Sequence, residues 1–169
     1  DGLCMGTRPG SLDPGVVLYL LTQKRMGADA VQNFLYRECG LKGLSGISND
    51  VRDLLGNSSP RAALALKYFV YRAQLSIGML TAAMGGLDGI VFTAGIGENA
   101  PSIRGAVLSG LGWLGAVIDS ERNARGGPLI SASDSVIKCY VVPTNEELMI
   151  AHHTLRLLRE PTFSLARGD

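Results

Sequence analysis

The sequence predicts an α/β protein with more helix than sheet. Two β-type runs, Gly89 to Ala94 and Val136 to Val142, are rich in Val, Ile, Phe and Tyr and are separated by helix-forming sequence. The first run empties into Gly95-Ile96-Gly97 and a helix-forming stretch follows at once, the strand-turn-helix order of an α/β unit. The residues before it carry apolar side chains at helical spacing over a long stretch.

The elements follow in order. Asp13-Pro14 supplies an N-cap carboxylate and a proline in the first turn, so a helix is expected from there to about Arg25. A second helix fits Ala28 to Glu38 and stops at Gly40. Residues 40–49 are rich in Gly, Ser and Asn and read as a loop, and Asp50 to Leu55 as one short helical turn. Ser59-Pro60 caps the longest helix, through about Ala83, with Ala63, Leu66, Phe69, Val70, Ala73, Ile77 and Leu80 near helical spacing. The glycine loop comes next, then a helix from Ala100 to about Leu111. Residues 122–134 are polar and read as irregular, and Thr144 opens a last helix. Two strands among six or so helical pieces make a marginal sheet, so further strands are expected outside this sequence.

The 169 residues suffice for one ordinary domain with a sizeable core. Hydrophobic residues make up 46% against 18% charged, and the net charge of +1 gives no electrostatic reason to expect nucleic acid or an acidic membrane surface as partner. No apolar run reaches the length of a bilayer span. Cys4, Cys39 and Cys139 are odd in number and lack metal-ligand spacing, so a reducing cytoplasm is the expected location.

Four segments carry chemistry. In Met5-Gly6-Thr7-Arg8 an arginine sits in a glycine-flanked turn; its fork suits a carboxylate or phosphate, and pairing with Asp13 or a helix end is the plainer alternative. Asp50-Val51-Arg52-Asp53 is either a solvated turn with a local ion pair or a polar pocket wall. Gly95, Ile96, Gly97, Glu98 and Asn99 form the glycine loop, where positive φ and a missing Cβ would let backbone lie against a flat or anionic ligand, Gly97 above all. Gly95 to Ala100 also satisfies the relaxed dinucleotide pattern G-x-G-x-x-A, with Asp119 as a distant ribose acid, so an NAD-dependent oxidoreductase stays open at this point. In Pro143-Thr144-Asn145-Glu146-Glu147, Thr144 and Glu147 fit a T-x-x-E capping box. That leaves Glu146 for first-turn dipole compensation or for Mg²⁺. His152 and His153 have no partner at ligand spacing, Trp113 reads as core or interface, and Ser102 and Ser109 lack a histidine-acid arrangement.

In this order the motifs resemble the acetate/propionate kinase family: Met5-Gly6-Thr7-Arg8 with Asp13-Pro14, then Asp50-Val51-Arg52, then Phe92 to Asn99 with Arg104, then Pro143 to Leu148. The resemblance implies two RNase H-like domains around a nucleotide cleft, as in sugar kinases, actin and the heat-shock ATPases. It also implies transfer of the ATP γ-phosphoryl to acetate or propionate, giving acyl phosphate and ADP with Mg²⁺. On that basis Arg8 resembles the family's essential arginine, Asp50 to Arg52 and Gly95 to Asn99 the adenosine-side segments, and Glu146 the magnesium-linked glutamate. The family's His-Leu-Gly-Asn-Gly phosphate loop and its first domain do not appear in this sequence. Residues 1–145 therefore resemble the later part of the second domain, and residues 146–169 a helix that returns to the first. An N-terminal portion of the same enzyme, on the same or a separate chain, is the implied partner, with a homodimer as the implied assembly. A non-catalytic, actin-like nucleotide-binding module is the alternative within that superfamily.

Overall fold

The computed structural model describes residues 2–159. The helices within that range are α1 (Pro14–Thr22), α2 (Ala28–Arg37), α3 (Gly40–Ser45), α4 (Val51–Leu55), α5 (Pro60–Met84), α6 (Ala94–Asn99), α7 (Pro101–Ser109), α8 (Ser120–Arg125) and α9 (Glu146–Arg159). Strand β1 (Gly89–Phe92) precedes α6, and β2 (Lys138–Val141) precedes α9.

Local chemistry sets most boundaries. Asp13 Oδ1 accepts the Gly15 N–H at 2.7 Å and Pro14 opens α1. Ser59 Oγ accepts the Arg61 N–H at 3.3 Å and Pro60 opens α5, which runs 25 residues and stops at Gly85, a left-handed residue at φ 72°. Three helices, α3, α6 and α8, arise where loop or irregular chain was expected. In α3 the start is fixed from a distance: the N–H groups of Cys39, Leu41 and Lys42 donate to the carbonyls of Thr7, Met5 and Gly6. In α8 Asp119 is the N-cap, its carboxylate accepting the Arg122 N–H at 3.0 Å, and Gly126 at φ 83° ends the helix. The sequence of α8 has no apolar stripe, so periodicity is silent about it.

The strands pair in parallel, Gly89 with Lys138 through Phe92 with Val141, and α6, α7 and α8 form the crossover between them. The buried apolar residues form one core. Leu41, Val51 and Leu54 bury against Ala62 and Ala65 of α5, while Ile103, Val107, Leu108, Ile130 and Cys139 close over Ile90. Small alanines on α5 allow α3 and α4 a close approach. Trp113 is not core: it is 70% exposed among the described residues. Every described residue of α9 is exposed, Leu148, Met149 and Ile150 included. Among the described residues, no helix is long and apolar enough to cross a membrane.

Candidate functional site

Two parallel neighbours deliver their carboxyl ends to one edge, where α/β proteins build ligand clefts. Past β1 and β2 the chains stay together: the Val142 N–H donates to Phe92 O at 2.9 Å, and Thr93 Oγ1 donates to Val142 O at 2.7 Å. The turn out of β1 differs from the glycine-loop expectation. Gly95 and Gly97 lie inside α6, and neither has a positive φ; the left-handed residue is Ala94, at φ 58°. The backbone reverses one residue earlier than the glycines, at a residue with a Cβ, which costs about 1–2 kcal/mol. The two glycines serve separate ends. A Cβ on Gly95 would meet nothing, whereas one on Gly97 would lie 3.1 Å from the Phe92 carbonyl carbon. Gly97 thus seats α6 on the end of β1 and is not among the residues that line the cleft described next.

A cleft of about 360 Å³ lies between α4 and α6, lined by Asn49, Asp50, Val51, Arg52, Gly95, Ile96, Asn99 and Ala100. It unites two segments that are far apart in sequence. On one wall Asp50 caps α4 through the Arg52 N–H at 2.8 Å, and its carboxylate takes the Arg52 Nε at 3.0 and 3.1 Å. The Arg52 hydrogen bonds hold the Asp50 carboxyl down at about 2. The ion pair of the plainer reading is therefore present, and it stands in the cleft wall. On the other wall Asn99 Nδ2 donates to Gly95 O at 2.9 Å, and the Ile96 side chain supplies an apolar face.

Arg8 and Glu146 do not line this cleft. Arg8 is half-buried in a turn closed by the Met5 N–H to Arg8 O bond at 3.0 Å. Behind it stands Gly40 at φ 63°, where a Cβ would strike Met5 O and come within 2.9 Å of the Arg8 backbone nitrogen. The turn meets the cleft wall through Gly6, whose added Cβ would lie 2.9 Å from Asn49 O. Asp13 is spent on capping α1.

The Thr144 to Glu147 segment shifts by one residue from the predicted box. Asn145 is the cap, with its Oδ1 accepting the Leu148 N–H at 2.9 Å. Thr144 turns instead to Glu98, whose Oε1 accepts its N–H at 2.9 Å and its hydroxyl at 3.1 Å. Those bonds, the Thr144 N–H first, hold the Glu98 carboxyl below the usual glutamate range. Glu147 has no capping role, because its T-x-x-E partner is engaged elsewhere. The Glu146 carboxylate makes no hydrogen bond or ion pair among the described residues. Nor does any group of three or more His, Cys, Asp or Glu gather there as an all-protein cation cage. One unengaged carboxylate at the start of α9 fits the chemistry of Mg²⁺, which is held by one or two carboxylates together with waters and substrate phosphates.

Arg104 supports the site from behind. It is 1% exposed, and its Nη1 donates to Gly97 O at 2.9 Å and Glu98 O at 2.8 Å. Its Nε donates to Asn123 Oδ1 at 2.8 Å and its Nη2 to Asn123 O. The carbonyl ends of α6 and α8 so converge on one guanidinium, whose charge they offset. The motif contains Arg104, but its spacing gives no hint of Asn123. The dinucleotide reading fails on Asp119, whose carboxylate caps α8 and pairs with Arg122 at 3.3 Å.

The fold is that of an α/β protein of the acetate and sugar kinase type. The chain belongs to the acetokinase family, whose model matches residues 1–152. It is 58% identical over 169 residues to the acetate kinase of Nitrobacter hamburgensis, which covers all of this chain and 42% of that protein. The acetate kinase of Rhizobium meliloti is 56% identical over 94% of this chain and 40% of its own length. The crystal structure of Porphyromonas gingivalis acetate kinase superposes with a TM-score of 0.83 at 39% identity, covering 94% of this chain and 41% of that one. A propionate kinase from Francisella tularensis gives a TM-score of 0.82 at 36% identity, over 89% of this chain and 40% of that one. The chain spans about two fifths of the length of these relatives.

Proposed function

We propose that this chain is the C-terminal part of an ATP-dependent acetate or propionate kinase. An acetate oxygen attacks the γ-phosphorus, the bond from that phosphorus to the β,γ-bridging oxygen breaks, and acetyl phosphate and ADP leave. The observation that carries the reading is the cleft between α4 and α6, because two motif segments 40 residues apart meet there in a family of carboxylate kinases. Asp50, Val51, Arg52, Gly95, Ile96 and Asn99 receive the adenosine, with Ile96 as the apolar face and backbone at Gly95 as the close approach; Gly97 and Glu98 act from behind that surface. Arg8, held rigidly by α3, presents its fork to the transferring phosphoryl and the carboxylate. Glu146 would be the carboxylate that holds Mg²⁺, which would supply neutralising charge for the phosphoryl oxygens. The exposed apolar residues of α9 suit a helix packed on the N-terminal portion of the enzyme. Three free thiols suit a cytoplasmic location.

The test joins this chain to the N-terminal portion of the Nitrobacter hamburgensis relative and measures acyl hydroxamate formation from acetate and ATP. The completed enzyme should turn over, the separate chain should not, and Arg8→Ala should lower turnover by about 100-fold or more. Arg8→Lys should fail as well, since an ammonium lacks the fork. An Arg8→Ala enzyme that keeps more than about a third of parental turnover refutes the role, because a fixed cation at the phosphoryl is worth far more.

A further inference from the structure

Glu98 belongs by sequence to the glycine-rich segment, yet it does not line the cleft and its carboxylate is engaged by Thr144. One oxygen, Oε1, accepts both the N–H and the hydroxyl of Thr144, across 46 residues of chain. The root of this side chain is fixed. Buried Arg104 grips the Glu98 carbonyl, and Gly97 just before it is seated on Phe92. Upstream the Thr144 segment is tied at Val142, whose N–H and carbonyl bond Phe92 O and Thr93 Oγ1; beyond Val142 every described residue to Arg159 is exposed, and Asn145 spends its side chain on its own helix. Two residues beyond Thr144 comes Glu146, the first residue of α9.

We propose that Glu98 is a positioning residue: its carboxylate latches Thr144 and thereby sets the Glu146 carboxylate relative to the nucleotide segment. This rests on the reading of Glu146 as the carboxylate that serves Mg²⁺. The latch needs an acceptor oxygen at the right reach and does not need a negative charge. Glutamine keeps that oxygen, aspartate withdraws it by one methylene, and alanine removes it. Thr144→Val keeps the N–H bond and loses the hydroxyl bond, so its effect lies between parent and Glu98→Ala.

The experiment uses the completed enzyme and two readouts: ADP binding by calorimetry with and without Mg²⁺, and the Mg²⁺ concentration for half-maximal turnover. Glu98→Ala should leave metal-free ADP affinity within about twofold, and should lower the enhancement of ADP binding by Mg²⁺ about tenfold, the usual scale for loss of an outer partner of a metal ligand. Glu98→Gln should match the parent within about twofold, and Glu98→Asp should behave like Glu98→Ala. Since the effect runs through Glu146, the double variant Glu98→Ala/Glu146→Gln should be no worse than Glu146→Gln alone. Additive losses, a metal response unchanged in both Glu98→Ala and Glu98→Asp, or equal weakening of metal-free and metal-bound ADP in Glu98→Ala each overturn the latch. If Glu98→Ala fails to fold, Glu98→Asp and Thr144→Val decide by the same criteria. Failure of the underlying reading looks different: Glu146→Gln itself then leaves the Mg²⁺ dependence unchanged.

Discussion

Replacing Arg104 with methionine keeps much of its volume and removes four hydrogen bonds at one stroke. Its partners are neutral, the carbonyls of Gly97, Glu98 and Asn123 and the Asn123 amide, so no unpaired charge is left behind. The cost therefore falls at the lower end of the about 3–5 kcal/mol for breaking a buried ionic network, near 3 kcal/mol. The same figure follows from leaving about three carbonyl groups poorly satisfied, at about 1 kcal/mol or more each. Urea unfolding of the completed enzyme, followed by far-ultraviolet circular dichroism, reads the loss; the exposed Trp113 is a poor reporter of the core. The change also frees the carboxyl end of α6, so the KM for ATP should rise more than the KM for acetate. Arg104→Lys should not rescue either property, because one ammonium cannot hold the ends of both α6 and α8. A loss below about 1 kcal/mol, within the range of an ordinary surface change, would refute the view of Arg104 as the clamp of the site.

Three further outcomes are expected. Ala94→Gly should stabilise by about 1 kcal/mol, read by urea midpoint, because glycine adopts φ 58° without Cβ strain; a destabilisation would mean the Ala94 methyl packs usefully. Asp50 has a depressed carboxyl, so its ion pair contributes above the ordinary aspartate range near pH 4, and the contribution is lost as pH falls through about 2. Carboxyl NMR titration should show Asp50 moving up towards the ordinary range in Arg52→Gln, the Arg52 backbone N–H still holding it partly down, and an unmoved Asp50 would show that the pair is absent in solution. Asn145→Ala should cost about 1 kcal/mol as a lost N-cap while Glu147→Ala is nearly neutral by thermal melt, and the reverse order would restore the T-x-x-E register.

The difference between what sequence reveals and what it hides runs through that last pair. Caps that are local in sequence were legible: Asp13-Pro14, Ser59-Pro60 and Asp50 all open the helices they were expected to open. So were the two strands and the long α5, which declare themselves through apolar pattern. Thr144 fits a capping box equally well, and locally nothing distinguishes it from Asn145. The choice is made by Glu98, which takes both Thr144 donors and leaves the cap to the next residue. The same holds for α3, whose first N–H groups are satisfied by the Met5, Gly6 and Thr7 carbonyls more than thirty residues earlier. Glycine was read as the residue that reverses the chain after β1, yet the reversal falls on Ala94, and Gly97 is required by the nearness of Phe92. In each case a contact beyond the local pattern decides among options of similar energy, and those of Glu98 with Thr144 and of Gly97 with Phe92 lie past the ends of β1 and β2. Residue types at this site were therefore legible from the motif while their partners were not, and the partners separate a residue that meets ligand from one that holds another residue in place.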